Sequence, residues 1–458
     1  MIIQLTKRTG LVPVRTFTKL LCAAATVAAA QFLSPASAQA TSGTVAAAAA
    51  IPRGQDVESF YQVRSEKPLW FQGGQPTSAA QALIALLQTS ATDGLNPAAY
   101  DVDSLLKAMK HASGNDSRDV RKADSLLSSA FTAYARDVAN PANTGLQYAD
   151  PALRLGPPSP LRLLQLAAQA PSLTQFVADM QWMNPIYAQL RRALVNHHYD
   201  GDKQREILAI NLQRARVLPT AKRYIIVNAP TQRLYMYEDN KVVDWMKVVV
   251  GQQKPDRKTP TLAGYLRYAS LNPYWNVPPD LVWDDVGVFV EKYGLSYLKS
   301  RGYEILSDWS DNATPIDPST VDWKAVKDGS VQIRVRQLPG PENFLGKIKY
   351  TFANPYGIYL HDTPRKELLE KETRLFSGGC IRLQDADRLG RWLFGHTLTA
   401  TSEDPDIKVP LDKPVPVFVT YLTAMPEGST VTYLEDVYGW DAERLAGVNP
   451  TGATVAAR

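Results

Sequence analysis

Cysteine occurs at only two of the 458 positions, 22 and 380. Cys380 lies in Ser377-Gly378-Gly379-Cys380-Ile381-Arg382-Leu383, downstream of His361-Asp362-Thr363-Pro364. A lone cysteine is often no more than a small buried hydrophobe, but glycines on one side and an arginine on the other are poor surroundings for that. They suit a nucleophile better. A thiolate that attacks a carbonyl needs a base within reach, a turn that presents the sulfur, and N–H donors for the oxyanion. Gly378 and Gly379 give the backbone freedom for such a turn, and the amides around Cys380 are the donors it would offer. His361 follows the strand-like run Gly357-Ile-Tyr-Leu360, and residues 362–376 separate it from Ser377. A strand end and a glycine turn can meet across a sheet at that separation. A histidine so placed is expected to lower the thiol pKa by pairing with the thiolate.

The compartment matters to this reading. Residues 1–19 carry Lys7, Arg8, Arg15 and Lys19 with no acid, an apolar stretch runs from Leu20 to Leu33, and Ala38-Gln39-Ala40 is a small-residue cleavage site. The pattern is that of a secretory signal peptide cut after Ala40; the apolar run falls short of the roughly 20 residues that span a bilayer. Cys22 leaves with the signal, so Cys380 has no partner for an internal disulfide in an oxidising compartment. The formal charge of +5 for the whole chain also drops to about +1 without those four basic residues. No basic field remains for nucleic acid. Histidines at 111, 197, 198, 361 and 396 are scattered, with no spacing that predicts a metal site. No other segment is apolar enough to predict a membrane span.

The elements that must position the cysteine predict an α+β protein. After the signal (1–40) and a flexible Ala-rich lead-in (41–54), apolar residues recur at helical intervals in Ala79–Leu87 and Asp124–Val138, predicting a helical domain over 55–200. A connecting segment (201–222) leads to β-branched and aromatic runs at 223–228, 233–237, 242–250, 264–268, 332–336, 357–360 and 415–421. These predict a β-rich catalytic domain over 223–425. A helix-like and polar stretch over about 285–330 interrupts it as an inserted lid, and 426–458 is a C-terminal extension.

The cysteine motif and its histidine resemble the signature of the L,D-transpeptidases, cell-wall enzymes with a histidine, a spacer of this length, then Ser or Thr, His, Gly, Cys and an Arg two residues on. The likeness extends to Asn211-Leu-Gln-Arg-Ala-Arg-Val-Leu-Pro219, Thr259-Pro260, Asn272-Pro-Tyr-Trp-Asn-Val-Pro278, Gln337-Leu-Pro-Gly-Pro-Glu-Asn343, Leu345-Gly346 and Val415–Tyr421. Phe60-Tyr61, Pro68-Leu-Trp70, Asp93-Gly-Leu95 and Tyr100 resemble the helical scaffold domain of the large Gram-negative members. Two departures stand out. Gly378 replaces the motif histidine, and Tyr187–Tyr199 runs almost directly into Gln204–Pro219, leaving no room for the peptidoglycan-binding module that similar members carry there.

The resemblance implies a periplasmic transpeptidase acting on peptidoglycan stem peptides, without metal or organic cofactor, and a target of carbapenems. Cys380 would be the acyl-accepting nucleophile and His361 the base, oriented by the Asp362 carbonyl. Ser377 would hydrogen-bond within the motif, and the amides of Gly379 and Cys380 would hold the oxyanion. Arg382 would order the loop or meet a substrate carboxylate, with Tyr359, Trp275 and Asn343 as further substrate contacts. The family's usual product is the 3→3 cross-link. Gly378 and the missing module leave open a donor truncated at position 1, giving 1→3 cross-links, as well as hydrolysis and a non-catalytic scaffold role in the cell wall.

Overall fold

In the computed structural model the described residues are 55–447, except 115–116, 141–143 and 155. The expected signal peptide and lead-in, with Cys22, lie outside them, as does the end of the C-terminal extension. The helical half contains α1 (Gln55–Val63), α2 (Ser78–Gln88), α3 (Val102–Ala112), α4 (Ser117–Val138), α5 (Pro160–Gln169), α6 (Leu173–Ala178), α7 (Pro185–Val195) and α8 (Gly201–Ala215), with a small hairpin of β1 (Phe71–Gln72) and β2 (Gln75–Pro76). The apolar spacing on α4 buries Leu127, Phe131, Tyr134 and Val138. Thr77, Ser159 and Asn184 open α2, α5 and α7 by accepting a first-turn amide. Pro160 and Pro185 follow two of these caps, where no amide donor is needed.

Asp93 is the polar centre of this half. It is 1% exposed, yet it accepts from Tyr134 at 2.8 Å, Tyr187 at 2.6 Å and Arg191 Nε at 2.9 Å. The stretch expected to be a connector is largely helix α8, whose Leu208, Leu212 and Ala215 join the helical core. It follows α7 after residues 196–200, and His197 and His198 are exposed there.

Further along come β3 (Gln147–Tyr148), β4 (Arg223–Asn228), β5 (Arg233–Glu238), β6 (Lys241–Gly251) and β7 (Leu262–Leu271), then a small module of β8 (Trp275–Asn276), β9 (Tyr303–Leu306), β10 (Pro315–Ile316) and β11 (Arg334–Gln337). After it follow β12 (Ile348–Phe352), β13 (Leu360–His361), β14 (Leu375–Ser377), β15 (Ile381–Leu383) and β16 (Ile407–Thr420). The main sheet runs β12-β13-β15-β6-β5-β4-β16-β7, and β7 also pairs with β12, so it closes on itself as a barrel. Val227, Leu234, Val248, Leu266, Tyr350, Leu360, Ile381 and Val417 fill the interior. β3, from the helical half, pairs in parallel with the start of β7.

The interruption is wider than the sequence predicts. Its own apolar core takes in Val277, Val286, Val290, Ile305, Val326 and Val335, and its sheet begins at Trp275 and ends at Gln337. The C-terminal extension is built into the body. β17 (Ala424–Glu427) and β18 (Thr430–Tyr433) form a hairpin whose Ala424, Met425, Val431 and Tyr433 pack into the helical core. The chain then returns to the barrel, where Val437, Tyr438 and Trp440 pack with Tyr421 and Ala229.

Candidate active site

β13 and β15 run parallel, pairing Leu360 with Ile381 and His361 with Arg382. Leu360, Ile381 and Leu383 enter the barrel core, so alternation turns His361 and Arg382 to the other face. The antiparallel β12 extends this row by placing Lys349 opposite His361. The expected strand over 357–360 is therefore shorter and later. Asn354 explains the difference: it donates to the carbonyls of Phe352 and Ile358 and accepts from the amides of Tyr356 and Ile358, holding this stretch as a loop.

His361 is 3% exposed, and its Nδ1 lies 2.5 Å from the Asp362 carbonyl oxygen. A carbonyl only accepts, so this contact sets the Nδ1–H tautomer and leaves Nε2 as the proton acceptor. The Asp362 carboxylate is turned away, accepting from the Lys347 amide at 3.0 Å and Lys366 Nζ at 2.7 Å. Burial, reinforced by the nearby Arg382 charge, pushes the His361 pKa down to about 3. The imidazole is thus neutral at working pH. This corrects the expectation of a resting thiolate–imidazolium pair: these surroundings favour a neutral base.

The turn carrying Cys380 is fastened by Ser377. Its Oγ donates to the Cys380 carbonyl at 2.6 Å and accepts from the Gly379 amide at 3.1 Å. Gly379 has φ +119°, a conformation that L residues rarely adopt, and a Cβ there would stand 3.1 Å from Ile358 Cδ1. Because its amide already serves Ser377, Gly379 does not have the role of oxyanion donor expected for it. The Cys380 sulfur is half-buried and lies 3.5 Å from the Gly357 carbonyl. It also acts electrostatically on Arg382, whose guanidinium is pushed below its ordinary pKa chiefly by burial. No carboxylate among the described residues lies within 4.0 Å of Arg382.

The remaining expected contacts separate. Tyr359 is half-buried near this row, with Lys349 Nζ 5.6 Å from its ring. Trp275 belongs to the small module, against Phe344 at 4.8 Å and Tyr303 at 6.4 Å between ring centroids. Asn343 is 1% exposed and spends its polar atoms on its own backbone surroundings. Its Nδ2 donates to the carbonyls of Pro273 and Leu338, each at 2.9 Å, and its Oδ1 accepts from the Leu345 amide at 2.8 Å. That corrects its expected role as a substrate contact: it locks a turn.

Sequence reasoning missed Lys349, Thr259 as a site residue, and Tyr438. Thr259 Oγ1 donates to the Gly379 carbonyl at 2.8 Å and accepts from the Gly251 amide at 2.8 Å. The Thr259-Pro260 pair marked the position without indicating this partner. Nothing in the sequence links Tyr438 to the cysteine turn.

Residues 55–194 match the family model described as the Scaffold domain, and residues 222–417 match the L,D-transpeptidase catalytic domain. The chain therefore carries a helical Scaffold domain ahead of an L,D-transpeptidase catalytic domain. It is 28% identical over 404 residues to a Haemophilus influenzae protein whose name marks it as a candidate L,D-transpeptidase, a match covering 85% of this chain and 79% of the relative. A solved structure, the Ldtfm-avibactam carbamoyl enzyme, aligns with 44% of this chain and 50% of its own at 13% identity, with a TM-score of 0.21. That likeness is too slight to bear on the fold.

Proposed function

We propose that this protein is a peptidoglycan L,D-transpeptidase that uses Cys380 as its nucleophile and makes 3→3 cross-links. The observation that carries the reading is the cysteine on a side-chain-fastened turn, with a buried neutral histidine and an arginine on neighbouring strands, the arginine having no carboxylate within 4.0 Å among the described residues. His361 Nε2 takes the thiol proton as sulfur attacks the carbonyl of the L-centre at stem position 3. The tetrahedral intermediate collapses with expulsion of D-Ala, whose amine receives that proton, and a thioester remains on Cys380. An amine of a neighbouring stem then attacks the thioester, gives its proton to His361, and the thiol is restored. The Cys380 amide serves the oxyanion, and Arg382 meets a stem carboxylate. The protein acts in the periplasm, exported by residues 1–40; among the described residues no helix is long and apolar enough to cross a membrane.

Two measurements test this. Intact mass after incubation with a carbapenem should show one adduct on the wild type and none on Cys380→Ala, with both folded. An adduct of normal yield on the alanine variant removes Cys380 from the mechanism, and none on the wild type favours a non-catalytic scaffold. Tandem mass spectrometry of dimers made from tetrapeptide muropeptides should show donors ending at position 3 and released D-Ala. Donors ending at position 1 would assign 1→3 chemistry to the space beside Gly378, and donor truncation without dimers would assign hydrolysis.

A further inference from the structure

Tyr438 is remote from Cys380 in sequence but joined to its turn by a continuous path of hydrogen bonds. Its hydroxyl donates to the Gly251 carbonyl at 2.8 Å and lies 3.3 Å from the Thr259 amide, which donates to it. Thr259 Oγ1 in turn donates to the carbonyl of Gly379, the residue before the nucleophile. The approach is close: a Cβ on Gly251 would fall 2.1 Å from the Arg257 carbonyl and 2.6 Å from the Thr259 amide. Lys258 adds a bond from Nζ to the Tyr438 carbonyl at 2.7 Å.

Tyr438 is itself held from behind. Its amide donates to the Tyr421 hydroxyl at 2.8 Å, which donates to Asp436. Asp436 also accepts the amides of Asp441 and Ala442, each at 3.0 Å. Asp441 pairs with Arg214, the last-turn arginine of α8. The rings of Tyr421, Tyr438 and Trp440 pack on one another and on Leu375, which opens the strand leading into the cysteine turn. The Tyr438 hydroxyl therefore joins two segments, at Gly251 and Thr259, that flank the Gly379 peptide.

We propose that Tyr438, acting through Thr259, is a positioning residue for the Cys380 turn, so that the C-terminal extension sets the orientation of the nucleophile. A Gly379 peptide held only by Ser377 retains freedom to rotate about a glycine φ, and Thr259 removes that freedom from its carbonyl side. Misplacing a nucleophile by a fraction of an ångström slows the chemical step while leaving ground-state binding intact.

The proposal rests on Cys380 being the nucleophile, and its test separates the two. Acylation by a carbapenem is followed as loss of β-lactam absorbance, with intact mass confirming the adduct. In Tyr438→Phe the rate constant at saturating carbapenem should fall roughly ten- to hundredfold, while the concentration giving half that rate stays within about twofold. Tyr224→Phe is the stability control. That hydroxyl is also buried and doubly bonded, to Asn184 and Asn240, and its removal should lower the melting temperature comparably without changing the rate constant. Thr259→Val should reproduce the Tyr438→Phe defect and Thr259→Ser should restore most of the rate, so the Thr259 pair decides the matter if Tyr438→Phe folds poorly. Acylation of Tyr438→Phe and Thr259→Val at the wild-type rate overturns the proposal, as does equal slowing in Tyr224→Phe. An adduct persisting on Cys380→Ala would instead indict the choice of nucleophile.

Discussion

A histidine kept neutral by burial behaves differently from one that waits as an imidazolium. With its pKa at about 3, His361 is already in its basic form throughout the neutral range, so acylation should show no acid limb near the ordinary histidine value of about 6.5. The rate should instead rise toward alkaline pH as the thiol ionises. Arg382 provides an internal control because its charge helps depress His361: Arg382→Gln should raise the histidine pKa. A pH–rate profile of carbapenem acylation from pH 5 to 9, on both proteins, checks this; a wild-type inflection at 6 to 7 that His361→Gln abolishes would sink it. The same depression has a stability consequence. Between about 6.5 and about 3 the unfolded chain binds a proton at this residue and the folded chain does not, so stability falls as pH falls through that window. That the Cys380 turn and the His361 strand meet was legible in the sequence, because a strand end and a glycine turn at that separation can come together across a sheet, and β13 and β15 do pair. Asn343 was not, since a motif shows that a position is constrained without showing whether a ligand or the neighbouring backbone imposes the constraint.

At the level of elements, helical and strand periodicity predicted α2, β4 and β5 closely and the later two-thirds of α4, which starts at Ser117 rather than Asp124. It failed where tertiary partners decide the outcome. The segment over 201–222 read as a connector, yet α8 is stable because Leu208, Leu212 and Ala215 are buried while Asn211 bonds Thr423 across the molecule. The Asp93-Gly94-Leu95 stretch marked the likeness to the scaffold domain but was silent about what Asp93 does. That carboxylate neutralises Arg191, whose side chain is 7% exposed, and satisfies two tyrosine hydroxyls. Asp93→Ala would strand a buried guanidinium, the costly way to break an ion pair, and should lower stability by about 3–5 kcal/mol. Urea unfolding measures it. A midpoint unchanged from wild type would mean that water enters and solvates Arg191, so that the pair is dispensable.

On the scale of the whole molecule, the two halves share one core. Tyr224, Ile226, Tyr237 and Phe418 of the barrel and Leu422 and Ala424 beyond it belong to the same apolar cluster as Leu83, Phe131 and Tyr187 of the helical half. β3 adds a strand from the helical half to the barrel sheet, and the hairpin of β17 and β18 returns the chain to the helices. Separating the halves would expose these surfaces together, so they should unfold in one cooperative transition, with calorimetric and van't Hoff enthalpies in agreement. The small module is differently placed. Its core, built around Val277, Ile305 and Val335, is a separate cluster, and its sheet is separate from the barrel sheet. It should therefore open locally before the barrel does. Hydrogen exchange of the intact protein tests both statements at once: amides of β9 and β11 should exchange well ahead of those of β4 and β16, while α4 and α7 should exchange with the barrel. Calorimetry that resolves separate helical and barrel transitions, or exchange in which α4 opens independently of β4, would show that the shared core does not couple the halves.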